Sequence, residues 1–304
     1  MGDGQKLTIV IPAFNEADNL EIFLPQVIEF CNKNEWKLII IDDGSTDNTP
    51  AILRKYDTEA IITFIRHKLN KGYGAAIKRG LSACTTEYAA TMDADGQHDL
   101  SDIEKLYSIM LAADADMMVG SRKGIKSATL SRGFAKSIIR ILAKILMKVP
   151  IYDINSGMKI YRTGLVKKYL YMTPDTMSYS DIITLIFLNN RHLVIEEPIK
   201  IRKRLNGKST LSIQTAFQTM MEIINIVILF NPMKIFLPIS LLMLIPSLAW
   251  GIPLIMIGRG VSVATLLGLI SSLIFFLLGL IAEQLSLIRR NQGYLHFGTD
   301  ESGS

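Results

Sequence analysis

Tyr88-Ala-Ala-Thr-Met-Asp-Ala-Asp-Gly-Gln-His98 is a short apolar run that stops at two carboxylates one residue apart. It reads as a buried strand delivering acid side chains to its C-terminal end. Asp93 and Asp95 carry hard oxygen ligands, and like charges that close together are costly unless a cation neutralises them. A divalent ion holding a diphosphate meets that requirement. An ordinary Asp-Gly turn is the competing reading of the same residues.

The flanking sequence bears on the choice. Leu7-Thr-Ile-Val-Ile-Pro12 is a β-rich run, and after Asn15-Glu16 comes a helical spacing of Leu20, Phe23, Leu24, Val27, Ile28 and Cys31. Trp36-Lys-Leu-Ile-Ile-Ile-Asp-Asp43 is a second strand, apolar until it ends in two acids, and Gly44 to Asp47 make the turn. Asn48 or Thr49 with Pro50 opens the next helix. Ala60–Arg66 predicts a third strand, and Asn70-Lys-Gly-Tyr-Gly74 runs into an Ala-rich helix ending at Ala83. Beyond the opening stretch, Ser101–Ala112 predicts a helix and Asp116–Gly120 another strand.

Strands and helices alternating at this spacing predict an α/β domain with a mostly parallel sheet covered on both faces. Ligands of such sheets sit beyond the carboxyl ends of the strands. Asp42, Asp43, Asp93, Asp95 and the Pro12–Glu16 loop all fall there, and that convergence favours the metal over the turn.

Other classes fit poorly. Gly72-Tyr-Gly74-Ala-Ala-Ile77 lacks the third glycine of a dinucleotide fingerprint, and Gly207-Lys-Ser209 has Arg202 where a P-loop needs glycine. No aromatic-interleaved basic surface speaks for nucleic acid. Cys31 and Cys84 have no paired spacing and read as core thiols of a reducing compartment.

The chain has 304 residues, an apolar fraction of 49% and a formal net charge of +5. That apolar excess is local: Ile235–Gly258 and Gly260–Ala282 are charge-free and separated only by Arg259. Each exceeds the ~20 apolar residues that cross a hydrocarbon core, so two transmembrane helices are expected in preference to a buried hairpin. Leu7–Pro12 lacks a signal-peptide pattern. Lys234 before the first span and Arg289 and Arg290 after the second, against the single Arg259 between them, place both ends in the cytoplasm. Just before the membrane, Arg202-Lys-Arg-Leu-Asn-Gly-Lys208 is a basic patch suited to anionic headgroups or a lipid-linked phosphate. Leu211, Ile213, Phe217, Met220, Met221, Ile224, Val227 and Ile228 then form a broad apolar stripe, read either as an interfacial helix or as a core helix.

Ile11-Pro-Ala-Phe-Asn-Glu16, Asp42-Asp-Gly-Ser-Thr-Asp47, Asn70-Lys-Gly-Tyr-Gly74, Asp93-Ala-Asp-Gly-Gln97 and Gly120-Ser-Arg122, in that order, resemble the family 2 glycosyltransferases of GT-A (Rossmann-like) fold. Asp153-Ile-Asn-Ser-Gly-Met-Lys159 and the Arg204–Ser209 segment are similar to the branch of dolichyl-phosphate mannose synthases and bactoprenol glucosyltransferases. The likeness covers roughly residues 7–210, and two C-terminal spans also occur in that branch. The branch often has Phe where this chain has Met158. The Gln-x-x-Arg-Trp motif of processive synthases has no counterpart, since Trp36 and Trp250 are the only tryptophans.

The resemblance implies an inverting, metal-dependent transfer of one sugar from a UDP- or GDP-linked donor to polyprenyl phosphate at the cytoplasmic face of the inner or plasma membrane. It implies that Pro12, Phe14, Glu16, Asp42, Asp43, Lys71 and Asp93 surround the nucleotide sugar, and that Asp93, Asp95 and Gln97 hold Mg2+ or Mn2+. Arg122, Ser131 and Arg132 receive the acceptor's phosphate; for Arg132 a solvated helix face is the alternative. Arg204 and Lys208 stand between cleft and membrane. Asp95, Asp153 and Arg122 are the catalytic candidates, Asp153 either orienting the acceptor or taking a residual proton. The expected organisation is a catalytic domain over 1–208, an amphipathic helix over 209–232, a transmembrane hairpin over 233–290 and a tail over 291–304. Another lipid acceptor such as diacylglycerol, or a non-catalytic nucleotide-sugar-binding subunit, are the rival functions. The sugar, the base, the isoprenoid length and any homo-oligomer depend on pocket shape and packing rather than on motif spacing.

Overall fold

The computed structural model describes residues 6–122, 150–200, 221, 224, 227, 228 and 231–297. Ser131, Arg132, Arg204, Lys208 and most of the amphipathic stretch lie outside the described residues. The chain forms two compact units, one of residues 1–128 and 149–211, the other of 129–148 and 212–304.

In the first unit the order is β1 (Leu7–Ala13), α1 (Ala17–Asn34), β2 (Lys37–Asp42), α2 (Thr49–Arg54), β3 (Ile62–Arg66), α3 (Tyr73–Ala83), β4 (Tyr88–Thr91), α4 (Leu100–Ala113) and β5 (Met117–Ser121). Then follow β6 (Lys159–Arg162), α5 (Thr163–Tyr169), a short 3-10 turn, α6 (Tyr179–Asn189) and β7 (Val194–Pro198). The strands make one sheet ordered β3-β2-β1-β4-β6-β5-β7. All pairings are parallel except those of β6, which runs antiparallel to β4 and β5.

Every residue of β1, β4 and β5 is buried, which is why these strands read as continuous apolar runs rather than alternating ones. The spacing seen in α1 is its core face: Leu20, Phe23, Leu24, Val27, Ile28 and Cys31 are all buried. Gly80 lets α3 lie close on the sheet, since a Cβ there would run into Val10 and Ile41.

β6 is the element that builds the site. Its register sets Lys159 opposite Thr91 at the end of β4 and opposite Val119 near the end of β5. An antiparallel strand that begins at this level must be entered from the carboxyl end of its neighbours. The segment 152–158 therefore lies over the acid-bearing edge of the sheet.

In the second unit α7 (Met233–Met256) and α8 (Val263–Phe297) form an antiparallel hairpin, and both are long and apolar enough to cross a membrane. Leu242, Ile245, Leu267 and Leu273 are largely exposed on its outside. Between the helices, the Ser240 hydroxyl donates to the Ser272 carbonyl at 2.9 Å. Gly251 faces Thr265 and Gly268 faces Ser247, small residues that permit close helix approach. Gly258 and Gly260 take the positive φ of the tight connection.

Candidate active site

The carboxyl ends of β1 and β2 are tied together. The Asn15 amide donates to Ser45 Oγ at 3.0 Å, Glu16 to Thr49 Oγ1 at 3.0 Å and Ala17 to Asp47 Oδ2 at 3.1 Å. Pro12 is buried in β1, while Phe14 stands 43% exposed on the loop beyond it. Asp42 accepts the Ser45 amide at 2.8 Å and pairs with Arg66 Nε at 3.0 Å. Asp43 is buried, with His67 Nδ1 at 2.7 Å and the Lys71 amide at 3.0 Å on one oxygen and the Gly72 amide at 2.8 Å on the other. Its carboxylate thus holds the Asn70–Gly74 loop in place. Lys71 enters this arrangement through its backbone.

Gly72, at φ +101, and Gly74 close the loop against the turn Pro174–Thr176, where a Cβ on either would strike backbone. That close approach explains the two glycines, which the sequence left without a role.

At the end of β4, Asp93 Oδ1 accepts from the Tyr73 hydroxyl at 3.0 Å, and Oδ2 lies 3.6 Å from His98 Nε2. The Asp93 side chain is 36% exposed. Burial would raise its pKa, but His98, the Tyr73 hydroxyl and the Arg122 charge outweigh it and hold the carboxyl below the usual range. Burial and the Asp93 charge push the Tyr73 hydroxyl well up, so it stays protonated and donates. Asp95, two residues on, is buried and accepts the Gln97 amide at 3.1 Å, across the turn opened by Gly96 at φ 68.

Arg122, just past β5, meets Asp153 in a two-pronged pair. Its Nε donates to Oδ2 at 2.6 Å, Nη2 to Oδ1 at 2.7 Å and the backbone amide to Oδ2 at 3.0 Å. The guanidinium side chain is 48% exposed, its partner only 10%. Burial would weaken the Asp153 acid, yet the Arg122 bonds and charge keep its carboxyl below the usual range. Gly157 packs directly on the Asp93 carboxylate, and its carbonyl accepts from Thr91 Oγ1 at 3.0 Å.

Ionised hard-oxygen acids at a strand end fit a divalent cation. Among the described residues no three His, Cys, Asp or Glu side chains gather as a cage. Mg2+-type sites do not require such a cage, since they use one or two carboxylates and take their remaining ligands from phosphates and water. Asp93, Asp95 and Gln97 therefore suit an ion shared with a diphosphate. Tyr73 and His98 were both inside motifs quoted from the sequence, but only the fold turns them toward Asp93; Glu196, which meets Asp153, carried no sequence signal at all.

A mostly parallel sheet with acids at the carboxyl ends of β2 and β4 and an Arg–Asp pair beyond β5 defines a GT-A-type α/β domain. The family model described as "Glycosyl transferase family 2" matches residues 8–170, and that described as "GtrB C-terminal hairpin" matches 231–288. The chain belongs to glycosyl transferase family 2. It is 30% identical over 171 residues to the dodecaprenyl-phosphate galacturonate synthase of Rhizobium johnstonii, covering 55% of this chain and 51% of that one. It is 28% identical over 226 residues to the polyprenol monophosphomannose synthase of Mycolicibacterium smegmatis, covering 68% and 82%. The chain thus spans about half the length of some curated relatives it matches. Among solved structures, glucosyl-3-phosphoglycerate synthase from Mycobacterium tuberculosis, in complex with Mn2+, UDP and phosphoglyceric acid, superimposes with a TM-score of 0.57. It is 15% identical, covers 74% of this chain and 79% of that one, and shares the fold.

Proposed function

We propose that this chain transfers a single sugar, with inversion, from a nucleotide-diphosphate sugar to a polyprenyl phosphate at the cytoplasmic membrane face. The observation that carries the reading is the exposed guanidinium of Arg122, locked by Asp153 beside the acid-bearing end of β4. One edge of the cleft offers carboxylates to a metal-bound diphosphate and another offers a fixed cation to a second anion. Names such as polyprenol monophosphomannose synthase and dodecaprenyl-phosphate galacturonate synthase among the relatives support a lipid phosphate as that second anion.

In this reading Pro12, Phe14, Glu16, Asp42, Asp43 and Lys71 shape the nucleotide side of the cleft, Asp43 by organising the Asn70–Gly74 loop. Asp93, Asp95 and Gln97 would hold Mg2+ or Mn2+, which when bound neutralises the charge that develops on the departing diphosphate. Mn2+ and Mg2+ beside UDP in the M. tuberculosis neighbour support that assignment. A phosphate monoester has a second pKa of ~6, so the acceptor oxygen arrives ionised and needs no strong base. Asp153 suits that chemistry as an orienting group, because both its oxygens are engaged by Arg122 and its carboxyl is held in the ionised form. Ser131, Arg132, Arg204 and Lys208 are the further candidates for the acceptor's phosphate, on the strength of their sequence positions. The proposed organisation keeps 1–208 catalytic, 209–232 interfacial and 233–290 membrane-spanning, with the tail 291–304 and both ends in the cytoplasm as the basic residues indicate.

The experiment is transfer of label from a panel of UDP- and GDP-sugars to undecaprenyl phosphate, dolichyl phosphate and diacylglycerol, followed by butanol extraction. Label in an acid-labile polyprenyl product is expected. Label in diacylglycerol alone, or donor binding with no transfer to any of the three, overturns the reading.

A further inference from the structure

The segment Tyr152–Gly157 belongs to no strand, yet it carries Asp153 and lays Gly157 on Asp93. Its backbone polar groups have to be satisfied from outside the ladder. Two oppositely charged side chains do this from different elements. Glu196 of β7 takes the amide protons, from Tyr152 at 2.9 Å and from Asp153 at 2.8 Å. Lys159, fully buried at the start of β6, takes the carbonyls. Its Nζ donates to Ile154 at 2.9 Å, to Ser156 at 2.7 Å and to Ser180, in the first turn of α6, at 2.8 Å. An ammonium has three donors and no acceptor, and here each donor has a carbonyl.

A fully buried lysine is rare and expensive unless its charge is used. Lys159 is shut off from solvent and all three of its bonds go to backbone carbonyls, two of them in this segment, so its charge acts there. We propose that Lys159 and Glu196 form a two-sided clamp that positions Tyr152–Gly157, and through it the Arg122–Asp153 pair, for the acceptor's phosphate. The clamp rests on the acceptor reading given under Proposed function. Both are positioning residues, since neither reaches the reacting atoms.

The clamp acts unequally on the two substrates. Gly157 is held to β4 by its bond from Thr91, independently of Lys159, so the donor side keeps its wall when the clamp opens. On the Asp153 side the backbone amide is held by Glu196 and the next carbonyl, that of Ile154, by Lys159 at 2.9 Å, with Thr184 Oγ1 a longer 3.3 Å from the same oxygen and Arg122 Nη2 donating to the Asn155 carbonyl at 3.1 Å.

The clamp also responds to pH. Burial lowers Lys159 to about 7, against the opposing pull of Asp181 on α6 and Asp153 on the segment; Arg122 beyond β5 adds to the lowering and Asp93 beyond β4 opposes it. A neutral amine has two donors, so Lys159 gives up one of its three carbonyls as pH rises through neutrality.

The test uses the full chain in detergent, with undecaprenyl phosphate and the donor that wild type accepts. Glu196→Gln keeps an acceptor for one amide and sets an NH2 against the other, and should raise the acceptor KM about tenfold, the size of one lost charge-assisted hydrogen bond. The donor KM should stay within about twofold. In wild type kcat/KM for the acceptor should fall as pH rises above 7, and Lys159→Arg, whose cation does not titrate, should lack that fall. Hydrogen–deuterium exchange of the Tyr152–Gly157 amides should be faster in Glu196→Gln and Lys159→Met, a readout that needs no substrate. Equal rises in donor and acceptor KM, or wild-type exchange in both variants, overturn the clamp. If wild type transfers nothing to polyprenyl phosphate, the proposed function falls while the exchange data still decide the clamp.

Discussion

Replacing Gly157 by alanine tests the floor of the cleft with one methyl group. Gly157 is not among the positive-φ glycines, so the substitution changes occupancy and leaves the backbone unstrained. An added Cβ would sit 2.8 Å from Asp93 Cγ and Oδ1, and nearer still to Oδ2. Ordinary van der Waals contact requires the carboxylate to withdraw by about 1 Å. Because the obstruction is the end of a side chain, Asp93 yields before the sheet does, and the Tyr73 bond to Oδ1 is lost with it. A misplacement of that size at a reacting site costs about 100-fold in rate, or ~2.7 kcal/mol of transition-state stabilisation. Overpacking bounds the stability loss at about 1–3 kcal/mol. The assay is kcat/KM for sugar transfer, run beside thermal unfolding and a Mn2+ titration in the presence of UDP. Gly164→Ala serves as control, since a Cβ at Gly164 meets nothing within 4 Å. Wild-type kcat/KM in a folded Gly157→Ala protein would refute the placement of Asp93 at the reacting centre.

Four further outcomes are expected. Asp95→Asn should abolish transfer with the fold and membrane insertion intact, because it removes a ligand charge and little volume; wild-type turnover in excess EDTA would remove the metal from the scheme. The pair Arg122→Ala and Asp153→Asn should be strongly non-additive, with a coupling of about 0.5–2 kcal/mol once the half-exposed arginine is allowed for, read in a double-mutant cycle on unfolding. Since the folded Asp153 carboxyl is the stronger acid, the unfolded chain binds more protons near pH ~4, and this contribution is present above that range and fades as pH falls through it; Asp153→Asn should flatten that acid slope in thermal unfolding. Arg204→Ala should raise the apparent KM for polyprenyl phosphate with little change for the donor even in neutral detergent, and an unchanged acceptor dependence would leave Arg204 as ordinary surface charge.

Much of this protein was legible from its sequence, and for a local reason. Buried parallel strands are written as unbroken apolar runs, so Leu7–Ala13, Lys37–Asp42 and Tyr88–Thr91 declared themselves, and the acids that end the runs marked the carboxyl edge of the sheet. The two apolar helices were visible from length and absence of charge alone. What the tertiary structure decided was direction and distance. Nothing in Lys159–Arg162 says that this strand enters antiparallel between β4 and β5, because a short apolar run carries no record of its partners or of their direction. That one reversal carries the Asp153–Lys159 segment over the end of β4, sets Gly157 on Asp93, and brings Glu196, far along the chain, to the Asp153 backbone. Spacing along a chain reports what lies on one face of one element. Which side chain from a distant element completes a hydrogen bond is fixed only when the sheet closes around it.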